Sequence, residues 1–360
     1  MVPQQAAGIR LAFPEAGDQE LAEIAAVLET GHLTMGPKVE EFETLLAAAA
    51  GTQHAAAVSS GTAALHVAVL ALGIGEGDEV LVPAYTFPAT ANVVALAGAT
   101  PVLVDVDPVT MNIDPGDAAR RVTARTKAVL AVHLFGRPAR LEELPDVPVL
   151  EDAAGALGAA HRGRPCGSLG ALACFSFHPR KIVTTGEGGA VTTDDPQLDE
   201  RVRSLRHHGW SPSSEYVDMP AGAFNYRLSD VLAALGVPQM QRLDELLAVR
   251  ERIAAGYAER LAHLDIVLPE ADAGDRHGWQ AYVVQLDRRD EVMSALRGQG
   301  IGCQIGTYAL HRLGAYRDQG PFPGADAAFE RALALPLHGR LSESDLDRVA
   351  EALDKIVSHH

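Results

Sequence analysis

The stretch His54-Ala55-Ala56-Ala57-Val58-Ser59-Ser60-Gly61-Thr62-Ala63-Ala64-Leu65 decides the fold. Residues 54–58 read as a short strand, 59–61 as a tight turn, and 62–72 as a helix. Working outward, the same alternation recurs. Strands are expected at 79–82, 101–104, 128–133, 148–150, 172–176 and 189–193, and helices at 89–97 and 196–206. Short apolar strands alternating with helices imply an α/β chain with a mostly parallel sheet covered on both faces. Upstream, 18–28 is an amphipathic helix with Leu21, Ile24, Ala25 and Leu28 at helical spacing; 31–37 is a break and 39–50 is helical again. Downstream, 229–263 is a long helical pattern interrupted near Pro238, 279–286 is strand-like, and 290–299 and 342–356 are helices.

The chain of 360 residues is 47% hydrophobic and 21% charged, a soluble globular composition with material for a large core. A large domain over 1–240 and a smaller one over 241–360 are expected, with the N-terminal helix a candidate to pack on the smaller part. A formal net charge of −17 repels nucleic acid, and no Lys/Arg-rich run argues otherwise. The three cysteines, Cys166, Cys174 and Cys303, form no CxxC and no disulfide framework. They read as small buried hydrophobes in a reducing, cytoplasmic setting. Residues 1–5 lack a signal-peptide pattern, and the apolar runs are too short and broken to span a membrane. His359-His360 reads as a tag remnant.

Four segments carry chemistry. Ser59-Ser60-Gly61-Thr62 follows a strand and opens a helix, where free N–H groups and hydroxyls suit a phosphate; a plain capped turn is the alternative. It is neither GxGxxG nor a Walker loop, so nicotinamide and ATP chemistry lose ground. Glu151-Asp152 ends an apolar strand, the place where open α/β sheets bind ligands. Asp152 there suits a protonated pyridine nitrogen, as pyridoxal phosphate requires; a helix cap or a metal ligand are the alternatives, and no second ligand lies at metal spacing. Phe87, in Pro83-Ala84-Tyr85-Thr86-Phe87, suits a flat ring or, alternatively, the core. Lys181 lies between a strand ending at Ser176 and the turn Gly186-Glu187-Gly188-Gly189. Its amine suits a Schiff base with an aldehyde cofactor, although most lysines are solvated surface residues. The four together specify far more than any one alone.

These segments closely resemble the DegT/DnrJ/StrS family of sugar-nucleotide aminotransferases, which have the fold type I pyridoxal-phosphate architecture. The similarity runs from about Gly31 through Leu353. Its stretches include Leu33-Thr34-Met35-Gly36-Pro37, Ser60-Gly61-Thr62-Ala63-Ala64-Leu65, Val104-Asp105-Val106-Asp107 and Glu151-Asp152-Ala153-Ala154. Phe175-Ser176-Phe177-His178-Pro179-Arg180-Lys181, Thr185-Gly186-Glu187-Gly188-Gly189, His208-Gly209 and Asn225-Tyr226-Arg227 complete them. The resemblance implies a large domain with a seven-stranded, mostly parallel sheet and a smaller C-terminal α+β domain. It implies that Lys181 is catalytic and forms the Schiff base, that Asp152 pairs with the pyridine nitrogen, and that Phe87 stacks on the ring. Gly61, Thr62 and Ser176 would hold the phosphate, with Ala63 and Ala154 beside the cofactor. Asn225 would reach the phosphate from the other subunit of a homodimer with shared active sites. Met35, Thr86, His178, Tyr226, Arg227, Tyr308 and His311 are candidates to face the substrate.

One departure stands out. The position after Asp152-Ala153-Ala154 is often Gln or His in this family, near the cofactor's phenolic oxygen, and here it is Gly155. The branch that replaces the lysine by His and performs dehydration is disfavoured by Lys181. The implied reaction moves an amino group from L-glutamate, by way of pyridoxal and pyridoxamine phosphate, to a keto-sugar nucleotide such as a nucleoside-diphosphate 4-keto-6-deoxyhexose. A non-nucleotide cyclic ketone of the keto-inositol type, and a non-catalytic regulatory protein on the same fold, are the alternatives. No metal is expected.

Overall fold

The computed structural model describes residues 8–210, 219, 222–317 and 319–358; residues 1–5 and 359–360, read above for targeting and as a tag remnant, lie outside them. Two helices come first, α1 (Asp18–Thr30) and α2 (Pro37–Ala50). The alternation then runs β1 (His54–Val58), α3 (Gly61–Ala71), β2 (Glu79–Pro83), β3 (Tyr85–Thr86), α4 (Ala89–Leu96), β4 (Thr100–Val104), α5 (Pro115–Arg121), β5 (Thr126–Val132) and β6 (Val149–Asp152). A small hairpin, β7 (Ala160–His161) with β8 (Arg164–Pro165), precedes β9 (Leu172–Ser176), β10 (Gly189–Thr193) and α6 (Pro196–Arg206). Next come α7 (Asp230–Gln241), α8 (Leu243–Leu261), β11 (Tyr282–Gln285), α9 (Arg289–Gly298), β12 (Gln304–Ile305) and β13 (Tyr308–Ala309). The chain closes with α10 (Pro323–Arg331), β14 (Ala332–Leu335) and α11 (Glu343–Ser358). No helix among the described residues is long and apolar enough to cross a membrane.

The helix starts are written locally. Ser60, Asp114, Asp195 and Ser229 each accept a backbone N–H at the beginning of α3, α5, α6 and α7, and Pro115 and Pro196 take first-turn positions that need no N–H. The long pattern over 229–263 does break, but at Arg242 rather than near Pro238. Pro238 lacks the N–H that would reach Ala234 O; beside it the Gln239 side chain donates to Leu235 O at 2.7 Å and to Thr184 O at 2.8 Å, which ties this turn of α7 to the chain after β9.

Seven strands form the central sheet in the order β1-β10-β9-β6-β5-β2-β4. β10 is antiparallel to both its neighbours; all the other pairings are parallel. Strand residues alternate between two cores, as the pleat requires. Ala56, Val82, Leu130, Leu150 and Cys174 pack with α3 and α4 on one face. Ala55, Ala57, Ala173, Phe175 and Ala190 pack with α2, α7 and the start of α8 on the other.

A second, antiparallel sheet orders β11-β14-β12, with α8, α9 and α11 packed on one face through Tyr257, Tyr282, Leu296, Leu333 and Leu353. Val283, Ala332 and Ala334 point the other way, into the core of the large sheet. The segment that carries β13 and α10 crosses back to the large sheet. Leu310 N donates to Ala84 O, Gly324 N donates to Asp105, and Phe322, Ala325 and Ala328 are buried in its core. α1 packs against α7, while Ile9, just ahead of it, pairs with 300–302 beside the second sheet.

Candidate active site

The parallel strands deliver their carboxyl ends to one edge of the sheet, and a cavity of about 460 Å³ opens there. β6 ends on Asp152, β9 on Ser176, and β1 runs into Ser60-Gly61, while β5 leads to His133. Gly61, Thr62, Thr86, Phe87, Asp152, Ala154, Ser176, His178 and Lys181 all line the cavity, with Gly155, Arg180, Gln280 and Gln304.

Asp152 is buried and forms no ion pair among the described residues. Thr90 Oγ1 donates to its Oδ2 at 2.9 Å and Ala154 N to its Oδ1 at 3.1 Å; Thr86 Oγ1 lies 3.2 Å from Thr90 Oγ1. Burial pushes the carboxyl up from the ordinary aspartate range, against those two donors and the Lys181 charge. A buried carboxylate held by two neutral donors lacks the cation that would repay its desolvation.

Lys181 follows the turn after β9, where its own N–H donates to His178 O at 2.8 Å. Burial lowers its amine to about 8, with the Asp152 charge resisting and Arg180 assisting. A neutral amine is therefore within reach near neutral pH, as Schiff-base chemistry needs. His178 is likewise lowered, chiefly by burial.

At the mouth of α3, Ser60 Oγ caps Ala63 N at 3.0 Å, and the N–H groups of Gly61 and Thr62 have no protein acceptor among the described residues. Glycine is required at 61: a Cβ there would lie 2.7 Å from Ser176 Cβ. The Ser176 hydroxyl is thereby brought against the open helix start, a cradle for a phosphate. Phe87 is 60% exposed, its ring 6.1 Å from that of Tyr308 in an edge-on contact. These are the features pyridoxal phosphate calls for, so the residues present fit that group: a basic nitrogen's partner, a nucleophilic amine, an anion cradle and a ring face.

The remaining expected residues lie elsewhere in this chain. Ala63 is buried inside the first turn of α3. Asn225, Tyr226 and Arg227 lie outside the cavity wall. Arg227 Nε donates to Asn225 Oδ1 at 2.9 Å, and Tyr226 Oη is 3.3 Å from His66 Nδ1, with its ring stacked on Phe224. Met35 is exposed next to the pairing of Thr34 with Ser229. His311 Nε2 bonds Asp326 at 2.9 Å, away from the cavity. Two groups were not anticipated. Glu151, fully buried, accepts N–H bonds from Gly167, Leu169 and Gly170, and accepts from His133 Nε2 at 2.8 Å. Ala139 N donates to His133 Nδ1 at 2.9 Å, which fixes the ring tautomer beside Asp152. An acid directly before Asp152 in a buried strand was the available signal, because a carboxylate there must find donors.

Comparison with known proteins agrees with this geometry. The DegT/DnrJ/EryC1/StrS aminotransferase family matches residues 14–354. The GDP-perosamine synthase of Caulobacter vibrioides is 40% identical over 97% of this chain and 98% of its own. The structure of DesV from S. venezuelae superposes with a TM-score of 0.89 at 36% identity, covering 94% of each chain. The pyridoxal-phosphate form of Spr1654 of Streptococcus pneumoniae does so with 0.93 at 28% identity, over 98% of this chain and 99% of that one. The chain belongs to the DegT/DnrJ/EryC1/StrS aminotransferase family and is a pyridoxal-phosphate-dependent enzyme.

Proposed function

We propose that this enzyme moves an amino group from L-glutamate to the ketone of a sugar nucleotide, a nucleoside-diphosphate 4-keto-6-deoxyhexose or a 3-keto relative. The carrying observation is the half-buried Lys181 side chain, its amine lowered to about 8 by desolvation, in one cavity with the cation-free Asp152 carboxylate. The likeness to a GDP-perosamine synthase supports a nucleotide-linked sugar.

When bound, pyridoxal phosphate supplies the aldehyde carbon and the electron-withdrawing ring that make amino transfer accessible. In this reading Asp152 holds a proton on the ring nitrogen, and Thr90 and the Ala154 N–H keep that carboxylate aimed. The N–H groups of Gly61 and Thr62 and the Ser176 hydroxyl bind the phosphate, and Phe87 covers the ring face. Lys181 Nζ accepts and returns the proton as the amino group changes hands. Asn225 and Arg227, which lie outside the wall of their own cavity, serve the site of a second copy: Asn225 at the phosphate and Arg227 at the nucleotide. Tyr226 stays under His66 as their support.

The test is a coupled assay on the purified, cofactor-loaded protein, with L-glutamate and a panel of keto substrates. Guanosine- and thymidine-diphosphate 4-keto-6-deoxyhexoses should be aminated, with 2-oxoglutarate formed in equal amount by mass spectrometry. Lys181→Ala should lose turnover. Amination of a keto-inositol in preference to every sugar nucleotide defeats the nucleotide reading; full turnover by Lys181→Ala defeats the role of the lysine.

A further inference from the structure

Gly155 lies outside the left-handed region of backbone space, so its conformation does not demand glycine. Its neighbour does restrict it. A Cβ at this position would sit 3.3 Å from Gln280 Oε1, 3.4 Å from its Cγ and 3.5 Å from its Cβ. The Gln280 side chain, from the stretch that leads into β11, covers the surface that a side chain at 155 would otherwise occupy, and both residues line the cavity.

The mount of Gln280 is rigid. Its N–H donates to Phe135 O at 3.1 Å, and Gly278 N donates to Gly136 O at 2.8 Å. The buried Arg250 donates to the carbonyls of Trp279 and Gln280 at 3.0 and 3.3 Å, and the Trp279 ring stacks on His277 at 4.0 Å. Gly136, at φ +98°, admits this approach: a Cβ there would be 2.9 Å from Trp279 N and 3.1 Å from Gly155 O. The carboxamide itself is nearly free. Its Nε2 is 3.5 Å from Arg180 O, a weak contact, and no donor reaches Oε1 among the described residues.

That amide lies between Gly155, three residues past Asp152, and Arg180, next to Lys181. A pyridoxal ring with its nitrogen at Asp152 and its aldehyde carbon at Lys181 has two edges between those points. One carries the phosphate arm, which goes to Gly61 and Ser176; the other carries the phenol oxygen. We infer that Gln280 is a positioning residue for the cofactor: it stands in for a side chain at 155, and its Nε2–H donates to the phenolate oxygen. This deepens the proposed function and rests on its placement of pyridoxal phosphate in this cavity.

The test is a binding and spectral titration that uses no keto substrate. Cofactor-free parent, Gln280→Ala, Gln280→Glu and the double variant G155Q/Q280A are titrated with pyridoxal phosphate and with pyridoxamine phosphate. Capture by the parent is the control for the underlying placement, independent of which sugar is the substrate. A hydrogen bond to a charged group predicts that Gln280→Ala binds about 10- to 100-fold more weakly. The pH at which its visible absorption band changes should rise, because the phenolate then bonds only to the neighbouring imine proton and holds it more tightly. Gln280→Glu, similar in size but lacking the donor, should weaken binding at least as much, whereas a pure packing role leaves it unaffected. G155Q/Q280A should recover part of the affinity. Parent affinity and an unmoved spectral midpoint in both single variants, each with parent thermal stability, overturn the inference.

Discussion

Lys181, half-buried, and Asp152, buried, line one cavity and form no ion pair with each other, and burial of their charged forms carries a cost that ligand chemistry repays. With the amine at about 8, its neutral fraction grows about tenfold per pH unit below that value. Capture of pyridoxal phosphate by the cofactor-free protein should therefore speed up with pH and level off above about 8, followed by absorbance after rapid mixing. An ordinary lysine would keep accelerating well beyond that point. Asp152 has its carboxyl raised by burial, so in the cofactor-free protein its contribution to stability falls as pH rises through that raised value. Asp152→Asn should accordingly raise the Tm of the cofactor-free protein near neutral pH. The same change should weaken cofactor binding about 10- to 100-fold, since it deletes a charge-assisted bond to the ring nitrogen. A scanning calorimeter and a fluorescence titration read the two effects separately; a lowered Tm or an unchanged cofactor affinity sinks the assignment. The motif residues themselves were legible in the sequence because each sits in a short window beside a strand end. Glu151 and His133 were not, because their pairing joins β6 to the chain after β5.

At the scale of elements, the cavity depends on how closely β10 approaches the start of α3. Gly189, the first residue of β10, faces Ser60: a Cβ there would overlap the Ser60 carbonyl and lie 2.6 Å from Gly61 N. Gly189→Ala should push the helix start away from Ser176. We expect a loss of about 2–3 kcal/mol in stability together with weaker phosphate binding, measured by urea denaturation and by inorganic phosphate competition. Parent behaviour in both would show that the helix start relaxes freely. The strand and helix periods predicted β1, β9, β10 and α6 with their observed ends, because caps, prolines and apolar runs are local signals. They missed α5, α10 and the short strands β12, β13 and β14. The two helices span fewer than three turns each, and these strands are two to four residues long with pairing partners far along the chain.

At the scale of the molecule, Asn225 is proposed to complete the site of a second copy. Leu33 and Met35 are 47% and 38% exposed beside the Thr34–Ser229 pairing, and Trp210 is exposed next to His207, which pairs with Asn225. If Asn225 completes a neighbour's site, mixing inactive Lys181→Ala with inactive Asn225→Ala protein should restore activity at about a quarter of the sites, since each hybrid dimer rebuilds one intact site. No restoration after subunit exchange, verified by mass spectrometry, defeats the shared site. A division of the chain near 240 is a further proposal, qualified by the return of 308–331 to the large sheet; limited proteolysis should cut neither β13 nor α10 free. The sequence by itself determined the alternating strands and helices, the capped helix starts and the phosphate, acid and lysine segments, because propensity, capping and turn chemistry act within a few residues. Only the tertiary structure decided that Gln280 covers Gly155, that Glu151 clamps His133, and that Asn225 lies outside the wall of its own cavity. Those outcomes depend on which distant strands become neighbours and on how much room a glycine leaves between them.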